Sequence, residues 1–361
     1  MKKILITVNH FYPKRGGLES YNFNLATFLA KKGYEVHVAT NNTHNVKREE
    51  VINNFKIHRL PCKDILPDVF AIPTLKGFMQ LKRIKFDVII SNTRFFPLSW
   101  LAAFIALIKI KPLIHIEHGN TFVQHPKKIV KIISRISDMI LGRFVYKKAK
   151  MTVGVSKPCT LFAKRLGARK TKVIPNSIIF DEFKQEPTLN TKCPIIICLG
   201  RLIEAKGFQD VIKALKPYNC KLYIIGDGPY KKELKRLARK NKINTTFFGN
   251  LDPKEYKELF KQASLFINPS YAEGLPTSIL EAGAMGVPVI ATDVGGTREI
   301  IKHEYNGYLI NPKSIFEMRF YINKVLYGKS SIANNLQKDI YKRFNWSSNI
   351  QKVILVVEKI A

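Results

Sequence analysis

Acidic side chains are scarce in this chain of 361 residues: 27 Asp and Glu stand against 60 Lys and Arg, a formal net charge of +33. A surface so short of carboxylates attracts nucleic acid, anionic lipid or a phosphorylated substrate, and charge alone does not rank the three. The shortage is uneven, because residues 1–180 hold 9 acidic and 32 basic residues while residues 181–361 hold 18 and 28. Cysteine is also sparse. Cys62, Cys159, Cys193, Cys198 and Cys220 are odd in number, include no C-x-x-C pair and lie in or beside apolar segments. That pattern excludes a disulfide framework and a zinc site of ordinary spacing, and predicts reduced thiols in a cytoplasmic protein. Long apolar runs are missing too: the longest, Trp100 to Ile108, is about half of what a membrane-spanning helix requires. Met1-Lys2-Lys3 leads only into Ile4 to Val8 before Asn9 and His10, so neither a signal peptide nor a transmembrane segment is expected. No Asp-x-Asp motif, short-period repeat or low-complexity tract occurs.

What is present is enough apolar side chain, 46% of residues, to fill two cores of ordinary size. Strand-like runs near Ile4 to Val8, Val36 to Thr40, Ile57 to Leu60, Val88 to Asn92, Leu113 to Glu117 and Met151 to Val155 alternate with helix-like segments. Ile174-Pro175-Asn176-Ser177 and the polar stretch Asp181 to Lys192 then read as a linker. After it the pattern restarts, with strands near Ile195, Leu222, Thr246, Leu265, Val289 and Tyr308. Alternation of this kind predicts two doubly wound α/β domains with parallel sheets, over residues 1–180 and 181–345, facing each other across a cleft, followed by a helix at 346–361.

Polar residues collect just past the predicted strands of the second half, where an open α/β sheet binds its ligands. Gly200-Arg201-Leu202 and Lys206-Gly207 follow the first strand, Gly226-Asp227-Gly228-Pro229 the second, and Gly295-Gly296-Thr297-Arg298-Glu299 a later one. Glu273 stands before a helix start in Glu273-Gly274-Leu275-Pro276-Thr277-Ser278-Ile279-Leu280-Glu281, with Pro276 fitting the first turn and Glu281 inside the helix. Two carboxylates are thereby aimed at one site, beside a helix N-terminus whose N–H groups favour phosphate. Such a set suits a sugar joined to a nucleoside diphosphate. In the first half Gly16 and Gly17 follow the first strand, where glycine allows close approach of phosphate to backbone.

These groups, with Glu117-His118-Gly119, Val155-Ser156-Lys157 and Ile174-Pro175-Asn176, resemble the retaining glycosyltransferases of family 4, in the glycogen-synthase-like superfamily, over nearly the whole length. The resemblance implies the GT-B fold of two Rossmann-like domains, with the last helix lying back on the first domain. It also implies that the second domain holds the nucleotide sugar. Arg201 and Lys206 would then steady the diphosphate, Glu281 would accept from the ribose hydroxyls, and Glu273 and His118 would lie close to the transferred sugar. Glu273 is either a nucleophile or an electrostatic and hydrogen-bonding partner, the second being favoured. Gly226, the backbone of Gly274, Leu275, Pro276 and Thr277, and Asn250 and Leu251 near the base complete the expected nucleotide-sugar site. UDP is the expected nucleotide, transfer is expected to need no metal or other cofactor, and Ser177 departs from the glycine that the family pattern places there.

Lys127, Lys128, Lys131, Arg135, Arg143, Lys147, Lys148 and Lys150 interleave at helical spacing with Ile129, Ile132, Ile133, Ile136, Ile140 and Phe144. This reads either as an interfacial helix or as an outer helix with its apolar stripe buried. Leu75 to Phe86, with Lys76, Lys82, Arg83 and Lys85, is a second segment of the same kind. The uneven charge favours a peripheral enzyme at the inner face of the cytoplasmic membrane, acting on a lipid-linked or growing cell-surface glycan. A phosphorylase or sugar-phosphate synthase is the alternative. A nucleic-acid-binding protein is disfavoured because no helix-turn-helix, zinc or RNA-recognition signature accompanies the charge.

Overall fold

The computed structural model describes residues 1–14, 16–43, 45–66, 70–122, 128–185, 193–328 and 331–360. Lys127 and the linker residues 186–192 lie outside the described residues. The chain divides into two compact units, Met1–Asn176 with Trp346–Ala361, and Ser177–Asn345.

The first unit contains β1 (Lys3–Thr7), β2 (Glu35–Asn41), β3 (Glu49–Ile52), β4 (Phe55–Leu60), β5 (Cys62–Leu66), β6 (Phe70–Pro73), β7 (Val88–Asn92), β8 (Leu113–Glu117), β9 (Met151–Gly154) and β10 (Thr171–Val173). Eight of them form one sheet in the order β10-β9-β8-β7-β1-β2-β4-β3, parallel except where β3 meets β4. β1 and β7 at its centre bury Ile4, Leu5, Ile6, Val88, Ile89 and Ile90 completely, which is why these strands read as unbroken apolar runs instead of alternating ones. β3 escaped the apolar pattern because it reads Glu-Glu-Val-Ile and sits at an edge. Its hairpin is nevertheless written in the sequence: Asn53 and Asn54 take positive φ angles of 46° and 64°, which a two-residue mirror-image turn demands and asparagine tolerates. β5 and β6 make a separate two-stranded sheet. The helix Trp346–Ile360 belongs to this unit, with Trp346 stacked on Phe28 at 5.9 Å between ring centroids and tilted against Tyr21 at 5.1 Å.

The second unit contains β11 (Ile195–Leu199), β12 (Lys221–Ile225), β13 (Thr245–Gly249), β14 (Leu265–Asn268), β15 (Val289–Thr292) and β16 (Tyr308–Ile310). They form one parallel sheet ordered β13-β12-β11-β14-β15-β16. Chain order therefore reverses between β11 and β14, the place where a doubly wound sheet opens a crevice at its carboxyl edge. Ser177, where family resemblance expects glycine, is buried and keeps a negative φ, so its side chain is accommodated without strain. Among the described residues no helix is long and apolar enough to cross a membrane.

Trp346 is only 1% exposed. Trp346→Ala is expected to destabilise the first unit by about 3–5 kcal/mol, the usual cost of deleting a buried aromatic ring, read as a lower denaturant midpoint with the slope unchanged.

Candidate nucleotide-sugar site

Two loops of the second unit leave adjacent strands on either side of the reversal. The loop after β11 carries Arg201, a 3-10 turn at Glu204–Lys206, and Gly207, which opens the helix Phe208–Ala214. The loop after β14 runs from Pro269 to Pro276 and ends in the helix Thr277–Ala284. Gly207 has a φ of 70°, and a Cβ there would fall on the carbonyl oxygen of Pro269, so only glycine lets the loops come this close. Tyr271 fixes their register. Its N–H donates to the Ala205 carbonyl at 2.8 Å, while its hydroxyl donates to Asp210 and accepts from Gln209, both at 2.7 Å. Held in this way, the Lys206 ammonium donates to Glu273 Oε1 at 2.6 Å, with 26% and 12% of the two side chains exposed. The cation expected at the diphosphate and the carboxylate expected at the sugar are thus in direct contact across the reversal point.

Pro276 occupies the N-cap position of the helix Thr277–Ala284, just before the first turn that the sequence suggests, and no side chain caps the helix. The positive end of its backbone is therefore open to an anion. Gly274 is tied to the loop after β15 through its carbonyl, which accepts from the Gly296 N–H at 3.0 Å. Further along the helix, Glu281 accepts from the Tyr256 hydroxyl at 3.2 Å. Burial pushes its carboxyl up to about 7, against the opposing pull of the Tyr256 hydrogen bond and the Lys257 charge. Sequence spacing gave no signal for Tyr256 or Lys257, which reach Glu281 from the helix Pro253–Lys261.

The remaining expected residues of this unit separate by what they touch. Gly226 is required by packing, because a Cβ there would fall on the Gly200 carbonyl, and its N–H is already committed to the Gly249 carbonyl at 2.7 Å. Asn250 and Leu251 follow the end of β13, with Asn250 exposed. Arg201 is exposed and makes no ion pair among the described residues. Asp227 pairs with Lys231 at 2.6 Å, and Arg298 pairs with Asp293.

In the first unit Gly17 opens the helix Gly17–Lys31, and Gly16 has extended backbone with a φ of 179°. His118 follows β8, edge-on to the Tyr21 ring at 4.8 Å, with Nε2 3.3 Å from the Asn92 side-chain oxygen. Burial pushes this imidazole down to about 4, so it is neutral near pH 7. An amide oxygen only accepts, which places the ring proton on Nε2 and leaves the Nδ1 lone pair for a ligand donor.

The basic segment forms the helix Lys128–Ser137, a π-turn at Asp138–Gly142 and the helix Arg143–Lys148. Its isoleucines are not buried: Ile129, Ile132, Ile133, Ile136 and Ile140 are 54–65% exposed, beside exposed Lys128, Lys131, Arg135, Lys147 and Lys148. In the second segment Leu75 and Met79 are exposed while Phe86 is buried.

The family model described as glycosyltransferase family 4 matches residues 15–182, and that of glycosyl transferases group 1 matches residues 179–343. The chain belongs to the family 4 glycosyltransferases. An uncharacterised glycosyltransferase of Methanocaldococcus jannaschii is 27% identical to this glycosyltransferase, over 99% of this chain and 98% of the relative. The GDP-mannose-dependent alpha-(1-6)-phosphatidylinositol monomannoside mannosyltransferase of Mycobacterium tuberculosis is 25% identical, over 87% and 86%. Among solved structures, Anabaena HepE in complex with UDP-glucose superposes with a TM-score of 0.82 at 19% identity, covering 99% of this chain and 100% of that one. The glycosyltransferase accordingly has the GT-B fold.

The raised Glu281 carboxyl makes stability depend on pH in a defined direction. Between the ordinary value of 4.5 and about 7 the native state holds a proton that the unfolded chain has lost, so this group's contribution falls as pH rises through that window. Glu281→Gln is expected to gain roughly 2–3 kcal/mol relative to wild type between pH 5 and pH 8, measured by denaturant unfolding at both.

Proposed function

We propose that this glycosyltransferase moves a hexose or N-acetylhexosamine from a nucleoside diphosphate sugar, UDP in first place, to a lipid-linked or growing cell-surface glycan, with retention of anomeric configuration and without a metal. The observation that carries the reading is the contact between Lys206 and Glu273 at the reversal of strand order, next to an uncapped helix N-terminus. Departure of the nucleotide builds negative charge on its diphosphate, and fixed donors aimed at that charge lower the barrier. Lys206, Arg201 and the amides opening the helix at Thr277 are those donors in this account. Glu273 orients Lys206 and hydrogen-bonds the sugar, Glu281 accepts from the ribose, and neutral His118 takes the sugar-contacting role that the family resemblance implies. The acceptor hydroxyl attacks the face that the diphosphate leaves, and the leaving phosphate takes its proton.

UDP is supported by HepE, whose structure holds UDP-glucose, while the mycobacterial relative uses GDP-mannose, so the base is the finer part of the proposal. A lipid-linked acceptor is supported by the exposed isoleucine stripe with its flanking lysines. An interfacial helix buries such a stripe at the acyl boundary, and each basic residue near an anionic surface adds about 1 kcal/mol. A phosphorylase or sugar-phosphate synthase has no use for that face. On this reading the protein works at the inner surface of the cytoplasmic membrane, without a specific nucleic-acid partner.

A panel of nucleotide sugars tested for thermal stabilisation identifies the donor, since a ligand that binds only the native state raises its apparent stability. Lys206→Ala and Arg201→Ala are expected to lower turnover about a hundredfold or more, and Glu281→Ala to weaken nucleotide binding; unchanged kinetics in all three would overturn the site. Replacing Ile132, Ile133 and Ile136 together by Ser is expected to abolish flotation with anionic vesicles and leave nucleotide affinity intact. Flotation equal to wild type would remove the membrane face from the account.

A further inference from the structure

The exposed helix and the His118 turn are joined inside the first unit by one buried cation. Arg94, 2% exposed, stands in the loop after β7, its guanidinium lying over the Phe162 ring at 4.5 Å. Its Nη1 donates to Glu117 Oε1 at 3.0 Å, and its Nη2 donates to Asp138 Oδ2 at 2.9 Å and to the Thr121 carbonyl at 2.8 Å. Glu117 ends β8 and is fully buried. Its Oε1 also accepts from the Gly119 N–H at 2.7 Å, and its Oε2 from the Tyr146 hydroxyl at 2.5 Å. Burial alone would raise the Glu117 carboxyl, but the Arg94 charge and hydrogen bonds from His115 and Tyr146 hold it well below the usual carboxylate range. The turn Glu117-His118-Gly119 is therefore clamped on both sides of His118.

Asp138 is the other end of this span. It is fully buried, opens the π-turn that follows the helix Lys128–Ser137, and is the acidic group within that basic segment. Gly142, at the end of the same turn, packs against the aliphatic stem of Arg94, where a Cβ would meet Cγ and Cδ at 3.5 Å. A π-turn is a costly interruption of a helix and persists where surrounding contacts fix it. Here it brings a carboxylate inward from a helix whose isoleucines face outward. Arg94 bonds both ends of the turn at residues 117–121 and the carboxylate that opens the π-turn, so movement of the helix end is passed to that turn.

We propose that Arg94 is a positioning residue, through which the placement of the helix Lys128–Ser137 on a lipid surface sets the geometry of the turn that carries His118. The inference rests on the proposed membrane face and on the proposed role of His118, and it adds a coupling between them that neither requires.

Hydrogen–deuterium exchange tests it with Asp138→Asn, which removes the charge at the helix end and leaves the Arg94 bonds to Glu117 and Thr121. In the absence of lipid, the variant is expected to exchange the amides of residues 119–121 about tenfold faster, the scale of losing a charge-assisted hydrogen bond, with β1 and nucleotide affinity unchanged. With vesicles of phosphatidylglycerol and phosphatidylcholine in equal parts, the wild type is expected to slow exchange at 119–121. The variant should float with the same vesicles yet lose that response, and Asp138→Glu should restore part of it. Unchanged lipid-free exchange at 119–121 overturns the coupling, as does faster exchange throughout the unit, which marks a purely structural role. If the wild type does not float at all, the membrane face fails on its own, and the lipid-free comparison still decides whether Asp138 and Arg94 hold the turn.

Discussion

The second unit depends on one constraint of parallel sheets: where chain order reverses, the connections leaving two neighbouring strands pass to opposite faces and leave the carboxyl edge open. β11 and β14 are that pair. Their loops come close enough for the Tyr271 N–H to reach the Ala205 carbonyl, and a charged side-chain contact, Lys206 with Glu273, spans them as well. The surrounding details serve this contact. Gly207 permits close approach of the loops, Tyr271 ties them with three hydrogen bonds, and the helix Thr277–Ala284 starts uncapped beside them. A cation and an anion held at 2.6 Å while partly open to water stabilise each other only modestly, but a dianionic ligand arriving there meets a preorganised ammonium.

Much of this frame was legible in the chain because fully buried parallel strands are apolar without alternation. All twelve runs singled out by that criterion are strands, from β1 at Ile4 to β16 at Tyr308. Of the four strands it passed over, two have plain physical reasons for being quiet: β3 carries two glutamates at an edge, and β10 is three residues long with Lys172 in the middle. The glycines after strands were equally readable, but their meaning was not. Gly226 looks like a phosphate loop in sequence, and in space it is a backbone crossing against Gly200 with its amide already used.

Electrostatic partners were the least legible part, because pairing across a sheet depends on distances that no spacing rule supplies. Glu281 was readable as an acidic residue on a helix, whereas its raised carboxyl comes from enclosure beside Tyr256, which the chain places 25 residues earlier. The basic segment Lys128–Lys150 left open whether its isoleucines face in or out; the structure turns them outward and turns Asp138 inward to Arg94. Nothing in the local sequence of Arg94 announces a buried cation. Its partners Glu117 and Asp138 lie 23 and 44 residues away, and only the order β7-β8 with the π-turn brings them together.

In the proposed function the diphosphate of a nucleotide sugar sits at the reversal point of the second sheet. A crystal structure with a bound nucleoside diphosphate sugar tests it most directly. Phosphate oxygens are expected within hydrogen-bond distance of the Lys206 ammonium and of the amides opening the helix at Thr277, with the ribose on Glu281. A nucleotide bound elsewhere, with Lys206 and Glu273 still in contact only with each other, would contradict it.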